Sequence, residues 1–242
     1  MASPGEPPPR RIKARLLVPF AVAQGLWVKA RTPELPTARG KRGRIGQDEG
    51  PARFVVGVGD SIIAGTGVGH QREALTGNFA RVWHERAGHA VEWRALGLNG
   101  ATSAVILHRI VPHAPAADVY VLSAGVNDSI RGVRADHFAE NLRGIVRALR
   151  AKAPRAVILY SGMPHFERFP SLPWPLKTVL TQRTQRMQSL AQAIATEQPD
   201  VLCYEPQGAV TQETLARDGF HPSAQACAEW AERMLDHWQQ SS

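Results

Sequence analysis

The sequence has few cysteines and no apolar run long enough to cross a membrane. Only Cys203 and Cys227 occur, and neither belongs to a Cys-x-x-Cys pair. A disulfide scaffold and a zinc ribbon are therefore disfavoured. We expect two buried free thiols, with a single disulfide bridge as the alternative. The apolar stretch at residues 16–28 has 13 residues, whereas a membrane-spanning helix needs roughly 20.

The glycine-rich stretch at residues 54–69, FVVGVGDSIIAGTGVG, lacks the spacing of a phosphate-binding loop. A dinucleotide fingerprint starting at Gly57 would need glycine where Ile62 stands, and no G-x-x-x-x-G-K-[ST] follows. The nucleophile elbow G-x-S-x-G of α/β-hydrolases would need glycine where Ile63 stands. What remains is Asp60 and Ser61 in a turn after an apolar run.

Metal-ligand patterns are also missing from the sequence. No H-E-x-x-H occurs, because His84 and His89 are five residues apart instead of four. We therefore expect no metal site.

Positive charge is concentrated in the first fifth of the chain. The net charge is +8, and residues 1–50 contribute ten basic and four acidic residues, or +6. The remaining 192 residues carry +2 and show no nucleic-acid-binding motif. Nucleic acid is therefore not an expected partner.

Residues 10–30 combine a basic cluster with an apolar segment, and three interpretations remain open. The segment fits a secretory signal with cleavage near residues 21–23, although its apolar core is short. It also fits a helix lying on a membrane surface, because Leu16, Phe20 and Trp27 recur at helical spacing between cations. The third interpretation is a helix packed on the domain. A membrane-associated or cell-envelope location is slightly favoured over a cytoplasmic one.

Residues 32–51 have the composition of a linker. The chain is thus divided into a basic, partly apolar N-terminal segment with linker, at residues 1–50, and a domain at residues 51–242.

From residue 53 onward, short apolar runs alternate with amphipathic segments. The predicted strands cover residues 54–58, 91–96, 118–122, 156–160 and 201–204. The clearest predicted helices cover residues 135–152, 176–196 and 222–238. This alternation predicts an α/β fold of three layers, a five-stranded parallel sheet with helices on both faces. The site of such a sheet lies beyond the carboxyl ends of its strands.

Chemically capable residues follow four of these five strands. Ser61 follows the first strand, Gly100 the second and Asn127 the third, and the pair Asp218 and His221 follows the fifth. Serine, base and orienting acid are the parts of a nucleophilic triad, and N–H donors are the parts of an oxyanion hole. Ser61 alone would more simply be a helix cap. We expect His221, which precedes Pro222, at the N-cap of the last helix.

The four blocks VGDSIIAGTG, GLNGATS, AGVND and DGFHPS resemble, in this order, those of the SGNH (GDSL-type) hydrolases. The resemblance runs from about residue 53 to the C-terminus. It implies a flavodoxin-like fold and acyl-ester hydrolysis without metal or cofactor. By motif position it implies Ser61, His221 and Asp218 as triad, with Ser61, Gly100 and Asn127 as oxyanion hole. The first block reads GDS-Ile instead of GDS-Leu, which exchanges one apolar packing residue for another.

The Pro-rich stretch at residues 161–177 is the expected determinant of the substrate. Its apolar side chains either line an acyl or alcohol pocket or pack as a lid on the core: Phe166, Phe169, Leu172 and Trp174. A small-molecule or lipid-like ester is the expected substrate. The alternatives are lysophospholipase or thioesterase activity, carbohydrate deacetylation, and a non-catalytic membrane-surface protein that retains the fold.

Overall fold

A computed structural model describes residues 14–47, 50–207 and 210–241 of this chain, and a six-stranded sheet forms its centre. The strands are β1 (Arg42–Ile45), β2 (Arg53–Gly59), β3 (Val91–Gly97), β4 (Val119–Ser123), β5 (Val157–Tyr160) and β6 (Val201–Cys203). Their spatial order is β1-β3-β2-β4-β5-β6. β2 to β6 are parallel, and β1 pairs antiparallel with β3. The five predicted strands are confirmed, each within one residue at either end.

Eight α-helices surround the sheet in the described residues. They are α1 (Ala14–Arg31), α2 (Ser61–Ala64), α3 (Leu75–Ala87), α4 (Ser103–Val105), α5 (Val126–Arg131), α6 (Ala135–Lys152), α7 (Leu176–Thr196) and α8 (Ala224–Ser241). A π turn and a 3-10 turn extend α4 to His113, and two further 3-10 turns cover Gln71–Glu73 and Phe166–Arg168. The predicted helices at residues 135–152 and 176–196 match α6 and α7, whereas α8 begins two residues later than expected.

The parallel strands are buried on both faces, and consecutive residues serve opposite layers. Val56, Tyr120 and Ile158 belong to the core formed with α6 and α7. Val55, Val121 and Leu159 belong to the core formed with α3 and α8. This alternation is the two-residue period of a strand. It gives the three-layer α/β architecture expected from the sequence.

α6 shows why these helices form where they do. Its apolar residues recur at helical spacing and are all buried against the sheet: Phe138, Leu142, Ile145, Val146 and Leu149. Its outer face is polar, and Arg143 there forms an ion pair with Glu197. The sequence pattern therefore specifies both the helix and its buried face.

The edge strand β1 lies within residues 32–51, which the composition predicts to be a linker, and this prediction is wrong at Arg42–Ile45. β1 extends the sheet beyond β3, with Arg42 opposite Arg94 and Ile45 opposite Val91. Its sequence, RGRI, is short and polar because it lies at the edge of the sheet. Arg44 and Glu92 form a cross-strand ion pair at 3.0 Å.

α1 packs on the outer side of α7 and adds a further layer at one end of the molecule. Leu17, Ala21 and Val28 contact the cluster that contains Leu176 and Leu180 of α7. Ala21 is 3% exposed. Residues 10–13 of the predicted membrane-contacting segment lie outside the described residues. Among the described helices, none is both long and apolar enough to cross a membrane.

Both cysteines are free thiols. Cys227 is buried in α8, and Cys203 is partly buried at the end of β6. Burial is the main reason that the pKa of each thiol rises to about 12. The expectation of free thiols is confirmed, although Cys203 is not fully buried.

Gly97 lets α2 approach the end of β3, and its substitution should destabilise the fold. A Cβ at this position would meet the backbone nitrogen of Ala64 and the carbonyl carbon of Ile63 inside contact distance. Backbone cannot rotate away, so Gly97→Ala should lower the free energy of unfolding by about 1–3 kcal/mol. Urea unfolding followed by circular dichroism measures this change.

Gly69→Ala is the matched control, because a Cβ there would meet only the Glu73 carboxylate, at 3.8 Å. Equal unfolding midpoints for the two variants would contradict this account of Gly97.

Candidate active site

The turn after β2 presents Ser61 as the first residue of α2. The carboxylate of Asp60 caps this helix, because its Oδ1 accepts a hydrogen bond from the N–H of Ile62 at 3.1 Å. Gly65, in the left-handed region, ends the helix after one turn. Ser61 is 9% exposed, and its side chain lines a cavity at the carboxyl edge of the sheet. The short capped helix thus holds the serine at the end of the strand.

Asp60 itself is buried and serves the scaffold of this turn. Its Oδ1 also accepts a hydrogen bond at 2.9 Å from the Ser123 hydroxyl at the end of β4. Its Oδ2 is buried without a hydrogen-bond partner. Burial raises the pKa of Asp60, and the hydrogen bonds from Ile62 and Ser123 oppose that shift only in part. Asp60 therefore joins the first and third turns of the site.

Asp218 and His221 form a directly bonded pair. The ring Nδ1 of His221 lies 2.5 Å from Oδ2 of Asp218, and a carboxylate only accepts, so Nδ1–H is the donor. Oδ1 of Asp218 accepts the backbone N–H groups of Phe220 at 2.9 Å and His221 at 3.0 Å. Burial alone would raise the pKa of Asp218. These three hydrogen bonds outweigh it, and the pKa lies below the ordinary value.

His221 is not an N-cap residue, contrary to the expectation from its neighbour Pro222. The segment between the pair and α8 is extended, and Pro222 bridges to Leu215. Ser223 caps α8 instead, since its Oγ accepts a hydrogen bond from the N–H of Ala226 at 3.3 Å. Proline is also common in extended segments, which is why the sequence misplaced the start of the helix.

The second and third turns carry the candidate donors Gly100 and Asn127. Asn127 lines the cavity, and its Nδ2 donates to the carbonyl of Ala101 at 3.1 Å. A primary amide has two N–H groups, so one remains for a ligand. Gly100 has a positive φ of 74°, and its carbonyl accepts a hydrogen bond from Arg131 at 2.9 Å. Gly100 does not line the cavity, whereas its neighbour Asn99 does.

A buried hydrogen-bonded pair holds these two turns together. Asp128 is fully buried, and its carboxylate accepts the hydroxyl of Ser103 at 2.5 Å and the backbone N–H of Ser103 at 2.8 Å. Asn141 donates to the same hydroxyl at 3.1 Å. Asp128 does not line the cavity, and it ties the turn after β3 to the turn after β4.

The cavity at this edge of the sheet has a volume of about 550 Å³ and contains Ser61, Asn127, Asp218 and His221 among its lining residues. Of the predicted pocket residues, Phe166 and Phe169 line it. Leu172 does not line it and is buried in the cluster between the loop and α7. Trp174 does not line it either and is 63% exposed. Leu172 therefore fits the alternative of a lid packed on the core, whereas Trp174 fits neither alternative.

Several lining residues were missed by the sequence analysis. Among the apolar ones are Val126, Ile130, Val210, Leu215 and Phe220. Ile130 lies three residues after Asn127, on the same side of a helix, which is a signal that helical spacing could have supplied. Val210 and Leu215 come from an irregular segment with no period, so no comparable signal exists for them.

Among the described residues, no group of three or more His, Cys, Asp or Glu side chains is arranged to hold a metal ion. Asp60 and Asp128 bond to neighbouring turns, as described above. The carboxyl groups of Asp60 and Asp128 therefore form hydrogen bonds with protein groups in this structure.

Comparison with protein families gives a match to the model of the GDSL-like lipase/acylhydrolase family. The match covers residues 58–228, which includes all four sequence blocks. Among curated protein sequences, none matched this chain significantly.

Solved structures with the same fold share little sequence with this chain. TesA is 20% identical with a TM-score of 0.61, over 78% of this chain and 99% of that one. AlinE4, an SGNH-hydrolase family esterase, is 20% identical with a TM-score of 0.56, over 80% and 98%. Phospholipase A1 from Streptomyces albidoflavus is 16% identical with a TM-score of 0.54, over 77% and 99%. These similarities show the SGNH hydrolase fold.

The raised pKa of Asp60 should make stability fall with rising pH. The folded state retains this proton above the ordinary pKa of 3.8, where the unfolded chain releases it. The free energy of unfolding therefore falls as pH rises from about 4 through the folded pKa, by about 1.4 kcal/mol for each pH unit between the unfolded and folded pKa values. Asp60→Asn cannot ionise, so it should lack this loss in urea unfolding measured between pH 4 and pH 8.

Ser123→Ala should change the pH dependence of stability in the direction opposite to Asp60→Asn. It removes a hydroxyl that lowers the pKa of Asp60, so the loss of stability with pH should become larger. Parallel pH profiles for the wild type and Asp60→Asn would refute this role of Asp60.

Proposed function

The chain belongs to the GDSL-like lipase/acylhydrolase family, whose members hydrolyse esters, and from this premise we propose that it cleaves carboxylic esters through an acyl-enzyme on Ser61. His221 is the general base and Asp218 the residue that orients it. The observation that carries this proposal is the 2.5 Å bond between His221 and Asp218, with Ser61 lining the same cavity.

The Asp218–His221 bond supports the assignment of a base because it fixes the tautomer of the imidazole. With its proton on Nδ1 held by the carboxylate, the ring has its lone pair on Nε2. The side chain of His221 is 23% exposed while that of Asp218 is 2% exposed. Nε2 is thus the nitrogen available to take the Ser61 proton, and the buried Asp218 stabilises the imidazolium that results.

Backbone and amide N–H groups support an oxyanion hole next to Ser61. In the described part of the chain, the N–H groups of Ser61 and Gly100 make no hydrogen bond to a protein acceptor. Asn127 has one N–H free of its bond to Ala101. Ser61 and Asn127 line the cavity, whereas Gly100 does not.

The proposed reaction has two steps, acylation of Ser61 and hydrolysis of the acyl-enzyme. Ser61 Oγ attacks the ester carbonyl as its proton passes to His221, and the leaving alcohol departs with that proton. Water then attacks the acyl-enzyme, gives its proton to His221 and releases the acid, and His221 returns the proton to Ser61. The negative charge on the carbonyl oxygen is greatest in both tetrahedral intermediates, where the N–H donors contribute most.

The cavity wall favours an ester with an apolar acyl group. Phe166, Phe169 and Phe220 line one part of it, and Val126 and Ile130 another. Such walls gain free energy from burying alkyl chains, at about 0.8 kcal/mol for each CH₂. Against these five side chains a sugar would leave its hydroxyls without partners, although polar side chains such as Asn99, Thr214 and Glu229 line other parts of the cavity. Short to medium acyl esters, thioesters or lysophospholipids fit this wall better than acetylated carbohydrates.

Ser61→Ala should abolish both turnover of p-nitrophenyl butyrate and labelling by a fluorophosphonate probe, because both need the Oγ nucleophile. Ser189→Ala, on the exposed side of α7, is the matched control and should behave as wild type. Hydrolysis by Ser61→Ala at the wild-type rate would exclude Ser61 as the nucleophile.

Asn127→Ala tests the oxyanion hole separately from the nucleophile. Loss of one oxyanion donor should lower kcat about 100- to 1,000-fold, while the fluorophosphonate still labels Ser61. Asn141→Ala removes an amide that bonds Ser103 behind the site and should retain most of the turnover. An unchanged kcat in Asn127→Ala would remove this residue from the oxyanion hole.

Ile130→Ser tests the apolar wall, because Ile130 lines the cavity yet is 55% exposed and should tolerate substitution. Losing this side chain should lower kcat/KM for a hexanoyl ester by roughly tenfold. The acetyl ester, which is too short to contact the side chain, should be hydrolysed as before. An equal loss for both esters would contradict an acyl-binding role for this wall.

A further inference from the structure

α1 is apolar on all sides, yet the structure covers only one of them. Leu17, Ala21, Gln24 and Val28, at intervals of three or four residues, face α7 and the loop before it. A helix with apolar residues all round is normally buried all round. The described part of the chain covers no other face of α1.

The uncovered face of α1, here called the outward face, is apolar from Pro19 onward, and Arg15 in the first turn falls in the same arc. At about 100° per residue, the arc opposite α7 contains Pro19, Phe20, Val22, Ala23, Leu26, Trp27 and Ala30. Phe20 is 68% exposed and Leu26 67% exposed. Four of the seven large exposed apolar side chains of the described chain lie here. This is a contiguous apolar patch and not a scatter of single residues.

Cations border the outward face on both sides. Lys29 lies at one edge of the arc and Arg31 at the other, and both are exposed. The guanidinium of Arg31 lies 4.3 Å from the centre of the Trp27 ring. α1 contains no acidic residue. The sequence before it adds Arg10, Arg11 and Lys13, which lie outside the described residues.

The C-terminal end of α1 lies beside the cavity of the candidate active site. Gln24 donates to the carbonyl of Trp174 at 2.7 Å and accepts the N–H of Leu176 at 3.0 Å, which ties α1 to the loop that carries Phe166 and Phe169. Trp174 is itself exposed next to this contact. Thr32, directly after α1, lines the cavity. The helix therefore ends at the cavity rim.

We propose that the outward face of α1 docks on an anionic lipid surface and holds the cavity mouth at that surface. An apolar arc bordered by cations matches the layering of a membrane interface, because apolar side chains enter the acyl region while Lys and Arg remain among the headgroups. A second copy of this chain fits less well. It would bring the Lys29 and Arg31 edges against like charges, with no acid on α1 to pair with them.

The test measures sedimentation of the full chain with phosphatidylcholine vesicles, with and without phosphatidylglycerol as a minority lipid. We expect binding to the anionic vesicles, weakened by salt and much weaker on phosphatidylcholine alone. Leu26→Glu/Trp27→Glu should lose at least about tenfold in binding, because two apolar side chains no longer enter the interface. Its turnover of a soluble ester should equal that of the wild type, which shows that the variant folds.

Charge reversal separates the cations from the general charge of the chain. Each Lys or Arg near an anionic surface contributes about fivefold, so Lys29→Glu/Arg31→Glu should weaken binding about 25-fold or more. The control Lys152→Glu/Arg155→Glu makes the same charge change next to the start of β5, at the edge of the sheet opposite the cavity, and should bind as wild type.

Three outcomes would overturn the proposal: no binding of the wild type to anionic vesicles, equal binding by Leu26→Glu/Trp27→Glu, or equal loss in the Lys152→Glu/Arg155→Glu control. A concentration-dependent dimer that Leu26→Glu/Trp27→Glu abolishes, without vesicle binding by the wild type, would assign the face to a second copy. None of these measurements depends on Ser61, so they leave the proposed esterase mechanism unaffected.

Discussion

Burial of both faces of the parallel sheet is the constraint on which the rest of this structure depends. Alternate residues of β2, β4 and β5 fill two separate cores, so the strands themselves have no room for polar chemistry. Polar side chains are confined to the turns that follow the strands. Because the strands are parallel, these turns meet at one edge of the sheet, where the cavity lies. The position of the site is thus a consequence of how the core is packed.

Two buried carboxyl groups, those of Asp60 and Asp128, hold these turns in fixed positions relative to one another. Asp60 bonds Ser123, and Asp128 bonds Ser103, so the turns after β2, β3 and β4 are cross-linked in pairs. A buried carboxylate without partners would be costly, so each bond resists movement of its turn. Donors held in this way need no reorganisation when charge develops on a substrate. In the proposed mechanism, Asp60 and Asp128 therefore position the turns and do not act on the substrate.

The pKa values of Asp218 and Asp60 are shifted in opposite directions, for a physical reason. Asp218 receives three hydrogen bonds, one from the His221 ring, and its pKa is lowered despite burial. Asp60 has one buried oxygen without a partner, and burial raises its pKa. Environments that separate the pKa values of neighbouring acids assign them different roles. Asp218 is suited to support a cationic imidazole, and Asp60 is suited to remain part of the scaffold.

Sequence patterns predicted the features that local chemistry controls. The five parallel strands and the apolar face of α6 were predicted from the periodicity and composition of the sequence. Burial on one or two faces requires apolar residues at regular positions, and the sequence shows them. β1 shows no such pattern, since an edge strand is half solvated and the four residues RGRI are too few to show a period. Trp174 was misassigned for a related reason. An aromatic side chain in a Pro-rich loop is apolar whether it lines a cavity or lies in solvent. Which of the two positions it takes depends on the path of the loop, and the sequence does not show that path.

The apolar composition of α1 is also compatible with two positions, and here the structure helps to distinguish them. Its apolar residues point in all directions, so composition alone cannot separate a helix packed on the domain from one that meets a lipid surface. The structure shows that α1 is packed along Leu17, Ala21 and Val28, and this packing uses only one side of the helix. The apolar residues on the other side gain nothing from folding and cost solubility in water. One side of α1 packs on the domain and the other remains free for a lipid surface, so the two interpretations are compatible, and a single helix can serve both contacts.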